Sequence, residues 1–143
     1  MSGCCGGAEK NIICACSGAA DVGFISDRTA RMLSVAGHGG MYCLAGAGAD
    51  IESFVKGAKE ADRVIVIDGC PVKCSQKIMD RHGVKSESYV VTSFGFEKGE
   101  TGMSDDTVKE AFMKIQKAVN NNTPGNSASI DKKGSCGCGG SCC

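Results

Sequence analysis

The chain has 143 residues, of which 42% are hydrophobic, and its 16 basic and 16 acidic side chains leave no formal net charge. This length allows one ordinary domain with a hydrophobic core. The balanced charge, the absence of tryptophan and the presence of only two tyrosines argue against a nucleic-acid-binding protein, which needs a basic surface and aromatic side chains for stacking. We therefore expect no nucleic-acid partner.

The chain contains eleven cysteines, and this number is the strongest feature of its composition. Residues 1–10 have neither the basic nor the apolar region of a secretory signal. No later run approaches the roughly 18 apolar residues of a membrane span. We therefore predict a cytoplasmic protein without a membrane partner, whose thiols are reduced. An odd number of cysteines leaves at least one unpaired in any disulfide scheme, which favours metal ligands or reactive thiols.

The first half of the chain predicts two strands and two helices. Residues 11–16 form a short apolar run that ends at serine and glycine, which is typical of a strand entering a turn. Residues 21–35 carry apolar side chains at helical spacing and are followed by glycines, so they predict a helix. Residues 41–44 predict a weaker second strand, and Asp50 is placed to cap the helix after it.

The apolar run at residues 64–67 leads into the sequence Asp68-Gly69-Cys70. A run of β-branched residues without a polar face is typical of a central parallel strand that is covered on both sides. Pro71 fits the first turn of a helix, and we predict that this helix ends at Gly83. Cys70 and Cys74 would then lie at i and i+4 on one helical face, near the positive end of the helix dipole.

The last third of the chain predicts one more strand and one more helix. Residues 88–92 predict a fourth strand, and Ser104 is placed to cap a final helix with an apolar stripe. Residues 94–102 are rich in glycine and form either a loop over the site or a plain surface connection. We divide the chain into a Cys-rich N-terminal arm (residues 1–9), an α/β domain (residues 10–119) and a disordered linker with a Cys-rich tail (residues 120–143).

Strands that alternate with helices predict an α/β fold of three layers, with a small, open, mostly parallel sheet and helices on both faces. We expect four strands in the order 2-1-3-4. Ligands of such sheets bind at the carboxyl ends of the strands, where the chain order reverses. Cys16, Cys43 and Cys70 follow the first three strands, and Cys74 lies one turn into the next helix. The sequence therefore predicts that four thiols converge at one edge of the sheet.

Four sulfur ligands suit tetrahedral zinc, an iron–sulfur cluster or another soft metal. Asp68 either hydrogen-bonds a ligand or caps the turn. Cys14 lies within a strand, where free cysteine is also a common buried residue. The residues that we consider as accessory metal ligands are Cys14, Asp68, Cys136, Cys138, Cys142 and Cys143.

These motifs resemble the DGC-domain family of zinc-binding proteins, which is named for its Asp-Gly-Cys sequence. The resemblance rests on Asp68-Gly69-Cys70 with Cys74, on Cys16-Ser17-Gly18, and on Cys43 before Leu-Ala-Gly46. It implies that Cys16, Cys43, Cys70 and Cys74 bind zinc, and it implies no established reaction.

Two functions remain open at this point. The first is metal binding at the four-cysteine site, with the Cys-rich ends acquiring metal from a protein partner or delivering it to one. The alternative is thiol chemistry, either sulfur or selenium transfer or a redox reaction, with Cys70 as the nucleophile. Whether the protein is an enzyme is left open by the sequence.

Overall fold

The computed structural model describes residues 9–122, so most of the predicted N-terminal arm and the predicted C-terminal tail lie outside the described residues. Strands and helices alternate along residues 9–122. The strands are β1 (Asn11–Ala15), β2 (Gly40–Met41), β3 (Arg63–Asp68) and β4 (Glu87–Val90). The helices are α1 (Asp21–Val35), α2 (Leu44–Gly48), α3 (Glu52–Lys59), α4 (Cys74–Arg81) and α5 (Asp105–Asn120), with a 3₁₀ helix at Val91–Phe94.

The four strands form one parallel sheet in the order β2-β1-β3-β4, as predicted. Ile12 lies opposite Val64 in the central pair of strands, and Ile65 lies opposite Glu87 at the start of β4. Every residue of β3 after Arg63 is buried. This burial explains why β3 has no polar face in the sequence, because helices cover both of its sides.

Two hydrophobic clusters lie on opposite faces of the sheet, which gives the predicted three layers. Alternate residues of each strand enter one cluster or the other because strand side chains alternate between faces. The first cluster joins the sheet to α1 and α5 and includes Ile13, Ile65, Tyr89, Ile25, Leu33, Ala111 and Ile115. The second joins the sheet to α2, α3 and α4 and includes Ile12, Cys14, Val64, Val66, Ala47, Ala58 and Met79.

Several predicted helix ends are confirmed. Helix α1 spans the predicted residues 21–35. Gly83 follows α4 with φ of +68°, the left-handed conformation that glycine adopts most easily. The Ser104 side chain accepts the backbone N–H of Thr107 at the start of α5, as expected of a capping serine.

Other predicted boundaries are wrong for physical reasons. Helix α4 begins at Cys74 and not at Pro71, so Cys70 and Cys74 do not share a helical face. Asp50 does not cap α3, because it adopts a left-handed conformation with φ of 60° and Ile51 occupies the N-cap position.

Two of the predicted strands are shorter than expected. Strand β2 is limited to two residues because Leu44 already begins α2. Strand β4 ends at Val90, where the 3₁₀ helix takes over. In residues 9–122, no helix is both long and apolar enough to cross a membrane.

Candidate functional site

The predicted metal ligands lie at the carboxyl edge of the sheet. Cys16 directly follows β1, Cys43 lies two residues after β2, Cys70 lies two residues after β3, and Cys74 is the first residue of α4. All four are free thiols; Cys43 and Cys74 are exposed, and Cys16 and Cys70 are partly buried. The parallel order of the sheet therefore brings the loops after three neighbouring strands to one edge, as the sequence predicts.

The sulfur of Cys16 lies between the loops that follow β1 and β3. The backbone N–H of Cys16 donates to the carbonyl of Ile67 at 2.9 Å, and this hydrogen bond continues the ladder between the two strands. The backbone N–H groups of Gly18 and Gly69 both donate to the Cys16 sulfur. Burial raises the pKa of Cys16, and these two hydrogen bonds oppose that rise, since they favour the thiolate.

Asp68 is buried beside this sulfur and closes the first turn of α4. Its two carboxylate oxygens accept the backbone N–H groups of Ser75 at 2.9 Å and Gln76 at 3.1 Å. These N–H groups have no partner within the helix because they lie in its first turn. Burial raises the pKa of Asp68 in spite of the two hydrogen bonds. Asp68 therefore caps the first turn of α4, and capping is one of the two roles that the sequence predicts for it.

The loop between Cys70 and Cys74 is a tight turn with a strained residue. The backbone N–H of Lys73 donates to the carbonyl of Cys70 at 3.1 Å, and Lys73 has φ of 53° and ψ of 50°. A lysine in this left-handed region costs on the order of 1 kcal/mol. Strain of this kind is found most often at functional sites.

The two cysteines of this loop have different surroundings. Cys70 packs against the hydrophobic cluster formed with α1 and α5. Cys74 lies near Cys16: burial is the main cause of the raised pKa of Cys16, and the charge of Cys74 adds to it. The predicted helix would have placed both sulfurs on one face, but Cys70 lies before the helix and contacts the apolar cluster.

Cys43 and Cys14 interact electrostatically near the carboxyl ends of β1 and β2. The Cys43 sulfur accepts the backbone N–H of Gly46 at 3.4 Å and so caps α2. Cys14 is 0% exposed in the cluster below. Burial raises the pKa of Cys14 to about 12, and the nearby charges of Cys43 and Asp68 contribute to the rise. Cys14 is therefore a neutral thiol in the core at physiological pH.

Cys43 also lines a groove of about 350 Å³ beyond the ends of β1 and β2. Ser17, Asp27 and Arg31 also line this groove. The Asp27 carboxylate accepts hydrogen bonds from Ser17 Oγ at 3.0 Å and from Arg31 Nε at 2.8 Å. The hydrogen bond from Arg31 is the main cause that lowers the pKa of Asp27. Sequence reasoning missed this network, although the i,i+4 spacing of Asp27 and Arg31 is a detectable signal.

The donors at this edge satisfy the chemical requirement of a metal ion but not its geometric one. Their chemistry suits a soft metal, because thiolates are its preferred ligands. Among residues 9–122, however, no three His, Cys, Asp or Glu side chains are placed together so as to hold an ion. Cys16 interacts electrostatically with Cys74, and Cys14 interacts with Cys43, but these residues are not brought together as a group of three or more ligands. The accessory ligands predicted at Cys136, Cys138, Cys142 and Cys143 lie outside the described residues.

Comparison with known families decides which proteins this chain is related to. The model of the DGC domain matches residues 12–115, a range that runs from within β1 to within α5 and contains all five cysteines described above. The chain belongs to the DGC domain family. Membership in this family indicates a role that depends on cysteines, such as metal binding.

One curated relative of the chain is the "Anaerobic and virulence modulator AnvM" of Pseudomonas aeruginosa. The two are 29% identical over 117 residues, which cover 80% of this chain and 86% of the relative. No solved structure matches the chain at a significant level.

Proposed function

We propose that this DGC-domain protein binds a soft metal ion, zinc in particular, in the cytoplasm through Cys16, Cys43, Cys70 and Cys74. One observation carries the proposal: these four free cysteines follow three neighbouring parallel strands and lie on the same edge of the sheet. This edge is where α/β sheets bind their ligands.

Each ligand would bind as the thiolate, so binding would release its proton. A bound divalent cation would supply a strong positive charge, which favours deprotonation of a neighbouring thiol. At Cys16 the N–H groups of Gly18 and Gly69 already favour the same charge state. Burial nevertheless leaves the pKa of Cys16 raised overall, so the charge of the bound ion would have to supply the remaining stabilisation of this thiolate.

Binding requires the loop between Cys70 and Cys74 to change conformation. Cys70 packs against apolar side chains of the first cluster and must leave them to join the other sulfurs. Lys73 is the hinge that we propose, because its left-handed conformation is strained. Asp68 holds the start of α4 in place while the turn moves.

The cysteines of the C-terminal tail extend this proposal to metal exchange. Cys136, Cys138, Cys142 and Cys143 lie at the end of the chain, where thiols would acquire metal from a protein partner or deliver it to one. This role requires that the tail reaches the carboxyl edge, and the chain after Asn122 is long enough to do so.

Thiol-based sulfur or selenium transfer, or a redox reaction, is the second candidate function. Its nucleophile would be Cys70, a free and partly buried thiol in the loop after β3.

The deciding experiment measures zinc in the full-length chain with all four tail cysteines changed to serine. We expect about one ion per chain in this background, loss of that ion in Cys74→Ser, and its retention in Cys14→Ala, which removes a thiol outside the ligand set. Circular dichroism confirms folding of each variant. A folded, zinc-free background in which Cys16 or Cys70 alone reacts rapidly with alkylating agents would overturn the proposal and support thiol chemistry.

A further inference from the structure

An apolar groove lies between α1 and α5 on the surface of the domain. It has a volume of about 430 Å³, and its apolar lining consists of Met32, Val35, Ala36 and Phe112. Val35 is the last residue of α1 and is 91% exposed. Apolar side chains that are exposed together on a polar surface mark sites of protein interaction.

Two arginines give this groove a positive rim. Among the described residues, its lining includes the guanidinium groups of Arg28 and Arg31 and no carboxylate. The Arg28 guanidinium lies 5.9 Å from the centroid of the Phe24 ring. Arg31 pairs with Asp27, the carboxylate on which both arginines act. Two guanidinium charges thus face one carboxylate, and the excess positive charge favours a partner that carries carboxylates.

Arg31 connects the apolar groove with the groove that contains Cys43, because it lines both. Its Nε and one NH₂ group donate to Asp27 at 2.8 Å and 3.3 Å. A guanidinium has more N–H groups than these two, and the Arg31 side chain is 61% exposed, so it can bind a second carboxylate. A partner that fills the apolar groove and binds Arg31 would therefore border Cys43.

The shape and charge of the groove favour a helix of another protein over a second copy of this chain. In a symmetric dimer the same patch meets itself, which would bring the arginines of both copies to one interface, where like charges oppose association. A groove between two helices is suited to an amphipathic helix, whose apolar side chains at i, i+3 or i+4, and i+7 enter it.

We propose that the groove between α1 and α5 binds an acidic amphipathic helix of a partner protein. The apolar side chains of this helix contact Val35 and Phe112. Its carboxylates pair with Arg28 and Arg31. A cysteine of the docked partner would then reach Cys43, an exposed thiol, and exchange a metal ion with it. Exchange replaces one metal–thiolate bond by another and needs no oxidant or reductant. The exchange rests on the proposed function, whereas the docking surface does not.

The test uses synthetic helical peptides of about 15 residues, with leucines on one face and glutamates beside them. Each carries a cysteine, at one end or the other, as a mixed disulfide with thionitrobenzoate. A protein thiolate that attacks this disulfide forms a protein–peptide disulfide and releases thionitrobenzoate. Docking raises the effective concentration of the peptide disulfide beside Cys43. Relative to a small disulfide of the same reagent, we expect one peptide to favour Cys43 over the exposed Cys74 by about tenfold, measured by peptide mapping with a chelator present.

Matched variants identify the surface on which the peptide docks. Val35→Gln should slow the modification of Cys43 about tenfold. Met113→Gln should leave the rate unchanged, since Met113 is also exposed on α5 but does not line the groove. Arg28→Glu should slow the acidic peptide about fivefold and favour a peptide with lysines in place of the glutamates. Lys59→Glu on α3 is its control. All four substituted side chains are exposed, so each variant should fold.

Several outcomes would overturn the docking surface. They are equal rates for the acidic and basic peptides, equal effects of Val35→Gln and Met113→Gln, and a dimer in sedimentation velocity that Val35→Gln dissociates, which would assign the groove to a second copy. Binding to phosphatidylglycerol vesicles that Val35→Gln abolishes would assign it to a membrane surface instead. The labelling requires no metal, so a chain that docks the peptide but binds no zinc would keep the surface and refute the exchange alone. A chain that binds zinc but does not dock the peptide would refute the surface alone.

Discussion

Asp68 and Ser75 are joined by a buried hydrogen bond, in which a carboxylate oxygen at the end of β3 accepts the backbone N–H of Ser75 at 2.9 Å. The other oxygen accepts Gln76 N–H, so one side chain fixes α4 relative to the sheet. The loop that contains Cys70 and Cys74 is thereby closed at its base. The strained turn at Lys73 lies within this closed loop.

Asp68→Ala should lower the free energy of unfolding by about 2 kcal/mol, since two buried N–H groups would lose their acceptor. Asp68→Asn keeps one acceptor oxygen, and we expect about half that loss. Urea denaturation followed by circular dichroism measures both changes. Asp106→Ala is the matched control, because Asp106 is also in a first helical turn but its side chain is 98% exposed. Equal stability of Asp68→Ala and the unmodified protein would contradict the capping role.

Gly69→Ala should destabilise the protein by about 1–3 kcal/mol through overpacking. A β-carbon at Gly69 would lie 2.8 Å from the backbone carbonyl carbon of Val22 and 2.9 Å from the backbone nitrogen of Gly23. Because these are backbone atoms of α1, neither can move aside without shifting the helix. Gly40→Ala is the control, since a β-carbon there would meet nothing within 4 Å. Similar urea midpoints for the two variants would show that the loop adapts more easily than its contacts indicate.

The ion pair between Arg63 and Glu87 should make stability depend on pH. The hydrogen bond from Arg63 is the main cause that holds the pKa of Glu87 below its ordinary value of 4.5. The stabilisation is therefore present above about pH 4.5 and is lost as the pH falls through the lowered pKa of the folded state. Glu87→Gln should cost about 1 kcal/mol at pH 7 and much less at low pH.

Urea titrations of Glu87→Gln and the unmodified protein at several pH values measure this difference. Glu110→Gln provides the comparison, because the side chains of Glu110 and Lys114 are more exposed than those of Glu87 and Arg63. A stability difference for Glu87→Gln that stays constant down to the lowest pH would rule out the ion pair as its source.

Cys14 should resist alkylation in the folded protein. It is 0% exposed, and burial is the main cause that raises its pKa to about 12, so it lacks both access and thiolate character. Cys43 and Cys74 are exposed and should be modified by iodoacetamide at least tenfold faster. Peptide mapping by mass spectrometry gives the rate at each site, and denaturant should abolish the protection of Cys14. Modification of Cys14 at the rate of Cys43 without denaturant would contradict its position in the core.

Features that depend on local pattern could be predicted from the sequence. The apolar spacing and the glycine stop located α1, and the β-branched run located the centre of β3. The order of strands followed from the alternation of elements and from right-handed crossovers. These features are repeated along many residues, so a single unusual residue does not change them.

Features that depend on contacts between distant residues could not be predicted. Pro71 is compatible with a helix start, but Asp68 caps α4 from outside the helix, and the turn at Lys73 delays the start to Cys74. The early start of α2 depends on the Cys43 sulfur that caps it. The sequence thus located the cysteines at the correct edge but not the direction in which each sulfur lies. The four-cysteine metal site itself stays a prediction.

The neighbouring positions of Glu9 and Asn122 also determine how the chain can be rearranged by genetic engineering. Since both residues line one groove, a short linker between them would close the domain into a ring without crossing the carboxyl edge. The ring can be reopened at Gly37, where a φ of +87° and open surroundings mark an exposed turn. A circular permutant that begins at His38 would keep every strand pairing of the sheet. The new chain ends would lie before β2 at the amino edge, opposite the edge that carries Cys16 and Cys43.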